Sequence, residues 1–316
     1  MSNSSVNSPQ MRLGTRNSPL AMAQANEARD RLCAAHGWSH DQVELVPVVA
    51  SGDKVLDRPL AEIGGKALWT KELDAWLADG RIDASVHSAK DVETLRPDIF
   101  AFGALLPRAD RRDALVGATS IADIAQGAVI GTSAPRRAAQ LLNLRPDCKT
   151  VTFRGNVATR LAKLDAGEAD ATFLAAAGLE RLGQSDVGTP LGSDSWIPAA
   201  GQGVIVLECR ADDAQTRAAL GALDHAETRA ELMAERALLA KLGGTCHSPV
   251  AVLCEPDGDG LVMRAALFSP DGAERVSAQV QFAIGDHGAV EAMAEDLLSR
   301  ASQSIAQVFT GQTGQS

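Results

Sequence analysis

The sequence predicts an α/β protein of two similarly built units, followed by a smaller α+β unit. Three observations carry this. Strand-like and helix-like segments alternate over roughly the first two hundred residues. The chain also echoes itself: Gly14-Thr15 with Pro19 matches Gly131-Thr132 with Pro135, and Gly80-Arg81-Ile82-Asp83-Ala84 matches Gly167-Glu168-Ala169-Asp170-Ala171. From about His225 the pattern changes, and two helical faces enclose three strand-like segments. A length of 316 residues accommodates two or three domains.

The elements follow from local chemistry. Met11 to Gly14 is a short strand leading to a helix from about Pro19 to Ala35. Ser18 is a good N-cap, Pro19 suits the first helical position, and Gly37 follows the end. Gln42 to Val49 is a buried strand, and the Gly/Asp/Pro-rich stretch Ser51 to Gly65 is a long loop. Leu68 to Leu77 is helical and Ile82 to Val86 a strand. Pro107 to Asp113, charged and Pro-containing, is a crossover between the two units. In the second, Ala128 to Ile130 is a strand, Pro135 to Leu144 a helix, and Thr150 to Phe153 a strand. Asn156 then caps a helix to Leu164, which Gly167 terminates. Such alternation predicts mostly parallel sheets. In the third unit, Leu232 to Leu242 marks one helical face and Val290 to Val308 another. Val250 to Leu253, Leu261 to Leu267 and Ala278 to Phe282 are strands, with turns at Asp257-Gly258 and Asp271-Gly272.

Composition excludes several classes. Hydrophobic residues are 45% of the chain, enough for real cores, and the net charge of -10 argues against a general nucleic-acid surface. The five cysteines are odd in number and form no C-x-x-C pair, so neither a zinc ribbon nor a disulfide framework is indicated. Reduced thiols in a cytoplasm are the simplest reading. Met1 to Gln10 is polar and lacks the apolar stretch of a signal peptide, and no apolar run is long enough to span a bilayer.

Against that acidic background, cations gather at four junctions where a strand ends and a helix begins. These are Gly14 to Pro19, Val86 to Asp91, Gly131 to Arg137, and Phe153 to Arg160, carrying Arg16, Lys90, Arg136, Arg137, Arg154 and Arg160. A surface arginine paired with an acid explains any one of them, at about 0–1 kcal/mol. All four together imply a polyanionic ligand held by forked donors and helix N-termini at the carboxyl ends of strands. Asp91 could stabilise a developing cation or move a proton, or could serve as an ordinary helix-start acid. Gly64-Gly65-Lys66 lacks the spacing of a Walker motif; it reads as a flexible glycine turn with a solvated lysine, or as a mobile lid or anion clamp. Cys246, in Gly243-Gly244-Thr245-Cys246-His247, is a modified or reactive thiol, the nucleophile of a Cys–His hydrolase, or a small buried residue.

Taken together these motifs resemble the hydroxymethylbilane synthase (porphobilinogen deaminase) family. The resemblance runs in order from about Arg12 to Val308. It rests on Thr15 to Ala21, Gly64-Gly65-Lys66, Val86 to Val92, Gly131-Thr132-Ser133 with Arg136-Arg137, Phe153 to Val157 with Arg160, Ala176-Ala177-Gly178-Leu179, Pro198 to Gly203 and Gly243 to Cys246. It implies two periplasmic-binding-protein type II-like domains with a cleft between them, plus a smaller α+β C-terminal domain. The boundaries it implies are 1–106 with 203–224, 107–202, and 225–316, with the chain after Gln202 rejoining the first domain.

It further implies a dipyrromethane cofactor bound covalently through a thioether to Cys246, and contacted by Lys90, Asp91, Ser133, Arg136, Arg137, Arg154 and Arg160. The implied substrate, porphobilinogen, would meet Arg16, Ser18, Lys66, Arg154, Arg181 and Gln202, with Asp91 catalytic. Four porphobilinogens would be joined head-to-tail with loss of ammonia, and hydroxymethylbilane released. The family implies a monomer, and the cysteine usage, acidic balance and lack of long apolar runs point to a cytoplasmic protein that binds neither nucleic acid nor membrane. Some positions depart from its usual pattern: Glu62 before the Gly-Gly-Lys, Trp69, Ala134-Pro135 and His247-Ser248. Glu62 bears against an anion contact just before Gly64. The competing class is a non-enzymatic anion-binding protein of the periplasmic-binding-protein type, which leaves Asp91, Cys246 and the third domain without a role.

Overall fold

The computed structural model describes residues 9–48, 70–244 and 248–310. The Ser51–Gly65 loop, Lys66, Trp69, Cys246 and His247 lie outside these residues, as does most of the polar N-terminal tail.

The chain forms three sheets. The first contains β1 (Met11–Arg16), β2 (Val43–Val48), β3 (Ala84–Ser88), β4 (Phe100–Leu105) and a late strand, Ile205–Arg210, in the order β2-β1-β3-late strand-β4. The second contains β5 (Asp113–Val116), β6 (Val129–Gly131), β7 (Lys149–Val151), β8 (Ala171–Ala175) and β9 (Thr189–Pro190), in the order β7-β6-β8-β5-β9. The late strand is β10. The expectation of mostly parallel sheets needs correction. In the first sheet β1 runs parallel to β2 and β3, but β10 runs antiparallel to β3 and β4. The second repeats this, with β6 parallel to β7 and β8, and β5 antiparallel to β8 and β9. The physical reason is connectivity. In each sheet the parallel half is built through helical crossovers, and the strand beside β3 or β8 runs the other way.

Helices follow their capping chemistry. In α1 (Pro19–His36), the Ser18 hydroxyl accepts from Ala21 N at 3.4 Å, Pro19 opens the first turn, and Gly37 closes the last in the left-handed region. A shorter helix, α2 (Lys71–Ala78), packs Leu73 and Leu77 inward. In the second unit α3 (Pro135–Leu144) again begins on proline. There α4 (Val157–Asp165) is capped by Asn156, which accepts from Thr159 N at 2.9 Å, and α5 (Ala176–Arg181) directly follows β8. The Val86–Asp91 junction departs from expectation: β3 leads into a single 3-10 turn, Ala89–Asp91, and no α-helix.

After β10 come α6 (Ala214–Gly221) and α7 (Ala226–Leu242). The third sheet is an antiparallel meander of β11 (Val250–Asp257), β12 (Gly260–Phe268) and β13 (Arg275–Ala283). The helical pattern expected from Val290 to Val308 is two helices, α8 (His287–Arg300) and α9 (Gln303–Thr310). The break falls at Ala301-Ser302, where the Ser302 hydroxyl accepts from Ile305 N at 3.4 Å and starts a new first turn. Each sheet has its own apolar core: Leu13, Ala25, Leu32 and Leu207 in the first, Leu115, Ile130, Phe173 and Trp196 in the second, and Leu238, Met263, Val290 and Leu297 in the third.

Two segments join the first two units, 106–112 and 201–204. They pack closely. Gly203 has φ +89, and a Cβ there would sit 2.5 Å from the Ala109 carbonyl oxygen, so glycine is required on both counts. The third unit grips both segments. Arg108 donates to Gln202 O, Glu231 and Glu235, and Glu235 also accepts from Gly201 N at 2.6 Å and Cys254 N at 3.0 Å. Arg108 and Glu235 are fully buried, so each charge depends on its partner.

Candidate active site

The cations of the four junctions fall at the carboxyl ends of parallel strands. Arg16 ends β1, Lys90 and Asp91 form the turn after β3, Ser133 follows β6, and Arg154 follows β7. This is where ligands settle on open α/β sheets. Arg136 and Arg137 begin α3, and Arg160 lies in the first turns of α4.

Arg16, Ser18, His87 and Asp91 line one small pocket with Gln24 and Ser88. Gln24 Nε2 donates to Ser88 Oγ at 2.8 Å, and buried His87 bonds the Ser85 hydroxyl at 2.9 Å. Burial, with Arg96 and Arg16 adding to it, pulls His87 down to about 3. The imidazole therefore stays neutral, and Asp91 is the carboxyl group that lines the pocket.

In the second unit, one buried carboxylate organises the arginines. Asp113 accepts from Arg137 Nη2 at 2.7 Å, Arg136 Nη2 at 2.8 Å, Trp196 Nε1 at 2.7 Å and Gln202 Nε2 at 2.9 Å. Burial alone would raise its pKa; Arg136 and Arg137, with hydrogen bonds from Arg137 and Trp196, hold it well below the carboxylate range. Arg136 also donates to Ile197 O and Arg137 to Phe173 O, which fixes both guanidinium planes.

The two halves are electrostatically joined. Gln202 Oε1 accepts from Lys90 Nζ at 3.3 Å while its amide nitrogen bonds Asp113, so one side chain spans from the β3 turn to β5. Burial lowers Lys90 to about 8; Arg137 and Arg136 add to this, and Asp91 and Asp113 oppose it. Arg160 is pulled down to about 10 by burial, with Arg137 and Arg154 adding and Asp91 opposing. Asp91 from the first unit thus acts on Arg160 from the second. Among these coupled groups the cations outnumber the carboxylates, so a ligand rich in carboxylates fits the donor set. Arg154 is buried in the same region.

Several expected ligand contacts are engaged within the protein. Gln202 is buried, and both ends of its amide are used by Lys90, Asp113 and Arg111 O. The Ser133 hydroxyl donates to Phe153 O at 2.6 Å. Arg181 donates to Glu27 on α1 at 3.2 Å and to Gly203 O at 3.1 Å, tying α5 to the first unit. Ser18 acts as a helix cap. Lys66 and Cys246 lie outside the described residues. Asp113 was not singled out from the sequence. Its local context, a charged stretch after a proline, carries no signal, since its partners lie far along the chain.

The fold and this site set two carboxylates, Asp91 and Asp113, among a larger number of cations at the carboxyl ends of strands in two α/β units. Comparison with known proteins is specific. Residues 11–218 match the family model described as porphobilinogen deaminase, dipyromethane cofactor binding domain, and residues 229–302 match porphobilinogen deaminase, C-terminal domain. A porphobilinogen deaminase of Sphingopyxis alaskensis is 56% identical over 305 residues, covering 95% of this chain and 96% of that one. One from Paracoccus denitrificans is 48% identical over 295 residues, covering 92% and 94%. The chain belongs to the porphobilinogen deaminase family. Among solved structures, the VFT2 domain of Bordetella pertussis BvgS aligns with 67% of this chain and 84% of its own at 16% identity and a TM-score of 0.40, a likeness too loose to carry an argument. Among the described residues no helix is long and apolar enough to cross a membrane, and no cluster of His, Cys, Asp or Glu could hold a metal ion.

Proposed function

We propose that this chain joins four porphobilinogen molecules head-to-tail, with loss of ammonia, on a covalently bound dipyrromethane, and releases hydroxymethylbilane. The observation that carries the reading is the hydrogen-bonded path from Lys90, next to Asp91, through Gln202 to Asp113 and its partners Arg136 and Arg137, which joins the two units. A dipyrromethane attached at Cys246 supplies a permanent primer with a nucleophilic pyrrole carbon. Lys90, Arg136, Arg137, Arg154 and Arg160 would hold its acetate and propionate groups. Each charge-assisted hydrogen bond contributes roughly 1.5–3 kcal/mol, so several are needed to fix each pyrrole.

Arg16 orients the incoming substrate's carboxylates at the mouth of the Asp91 pocket. Loss of ammonia from porphobilinogen leaves positive charge on that substrate, and the Asp91 carboxylate stabilises it electrostatically. Asp91 also accepts hydrogen bonds from pyrrole N–H groups and takes up the proton lost after coupling. Neutral His87 and the part-buried Gln24–Ser88 pair exclude competing charge from the pocket. Gln202 sets the position of Lys90, and Arg181 braces the two units through Glu27. We assign the domains as 1–106 with 203–224, 107–202 and 225–316. The chain acts as a cytoplasmic monomer.

Replacement of Asp91 by asparagine tests the reading. The variant is expected to keep its covalent dipyrrole, seen by intact mass, and to lose turnover of porphobilinogen by a factor on the order of 100 or more, because the amide carries no charge opposite the cation. Near-normal turnover would remove Asp91 from the chemistry.

A further inference from the structure

Asp91 sits on a single 3-10 turn, which is a weak support for a carboxylate that must be held in place. The turn closes with Val92 N donating to Ala89 O at 3.2 Å, and the next carbonyls, of Val92, Glu93 and Thr94, have no helix to continue into. They are taken by one side chain from the third unit. Arg236 on α7 donates to Glu93 O at 2.6 Å and Thr94 O at 2.8 Å through Nη2, and to Val92 O at 3.5 Å through Nη1. Its guanidinium lies 4.8 Å from the Phe102 ring centroid, which fixes its plane. One turn earlier on the same helix face, Leu232 packs in a cluster with Ala89 and Val92, on either side of Lys90-Asp91.

The contacts continue on both sides. The Glu93 carboxylate accepts from Arg96 at 2.7 Å and from the Thr70 hydroxyl at 3.2 Å, and Arg96 is anchored on Asp74 and buried Glu208. The Thr94 hydroxyl lies 3.4 Å from Gly244 O, at the end of α7. Burial pulls Arg236 down to about 10, with Arg96 adding and Glu208 and Glu93 opposing, so it remains cationic near neutral pH.

We propose that Arg236 is a positioning residue for Asp91, and that helix α7 of the third unit, through Leu232 and Arg236, buttresses the turn that carries the carboxylate. This deepens the function proposed above and rests on it. A planar fork that reaches adjacent carbonyls holds the backbone in two directions, whereas a lysine makes one point contact. Displacement of a reacting group by about 1 Å can cost on the order of 100-fold in rate.

The experiment compares Arg236→Gln and Arg236→Lys with the wild type as cofactor-loaded enzyme. For Arg236→Gln, kcat is expected to fall roughly 10- to 100-fold while KM for porphobilinogen stays within about twofold, since substrate carboxylates are held elsewhere. Intact mass should show an unchanged covalent load. Arg236→Lys should recover part of kcat. Hydrogen exchange, which does not depend on turnover, should show faster exchange of the amides of 92–95 in Arg236→Gln, with β3 and β10 unchanged. Arg236→Gln with wild-type kcat, or with a raised KM and unchanged kcat, would overturn the proposal. So would unchanged exchange at 92–95. Should the glutamine form not fold, the lysine form is judged by the same split: a fall in kcat alone supports the proposal and wild-type kcat refutes it. A wild-type protein that fails to consume porphobilinogen would instead refute the function itself.

Discussion

Replacing Asp113 by asparagine keeps the shape and removes the one negative charge that Arg136 and Arg137 share. Asp113 is 0% exposed, and every oxygen contact it makes is to a donor. In the variant an amide NH2 must face at least one of those donors, and two adjacent buried guanidiniums lose their counter-charge. Removing one partner of a buried ion pair costs about 3–5 kcal/mol. At roughly 2–4 °C per kcal/mol, the melting temperature should fall by about 6–20 °C. The aimed guanidiniums should also be lost, so covalent dipyrrole content should drop in the protein that does fold. The pH dependence carries a defined sign. The folded pKa of Asp113 is depressed, so its contribution is fully present above the unfolded value near 4 and is lost as pH falls below it. The assay is a thermal melt at pH 7 and at pH 4, with intact mass on the same samples. A variant melting within about 2 °C of the wild type at pH 7, with a full covalent load, would refute the reasoning.

Two other outcomes follow from the site. His87 stays neutral when folded down to about pH 3, whereas the unfolded chain binds a proton near 6.5. The unfolded state therefore binds more protons, and stability falls as pH drops from about 6.5 toward 3, by up to about 1.4 kcal/mol per pH unit from this group. Urea midpoints at pH 7 and pH 5 should converge in His87→Asn, and equal spacing in both proteins would contradict the assignment. Arg154→Leu and Arg160→Leu should each weaken substrate or primer binding by about 1.5–3 kcal/mol, which is roughly 10- to 150-fold; unchanged KM and unchanged covalent content would count against their role.

Where local chemistry decides structure, the sequence was readable. Helix α3 spans Pro135–Leu144 as expected because proline fixes its start, and Ser18 and Asn156 cap α1 and α4 as read. Where tertiary context decides, it was not. The apolar spacing of Val290 to Val308 runs in register past Ala301, so periodicity alone hid the cap at Ser302. The antiparallel halves of both sheets depend on strand pairings such as β10 with β3, residues more than one hundred positions apart. At the site, the clustering of cations at strand ends was visible as a charge pattern. Asp113 and Arg236 were not, because their partners lie 23 to 144 positions away: the first aims arginines and the second grips backbone carbonyls, and neither leaves a local motif. Gln202 entered through its resemblance to a ligand contact, whereas its buried amide links Lys90 to Asp113.

The proposed function requires a pyrrole oligomer tethered to Cys246 beside the cations that surround Asp91. The most direct measurement is the intact mass of freshly purified protein beside Cys246→Ser. The first should exceed its sequence mass by one dipyrrole and gain further pyrrole units on brief exposure to porphobilinogen, while the second should weigh what its residues dictate. A wild-type mass equal to the bare polypeptide, or a serine variant carrying the same adduct, would contradict it.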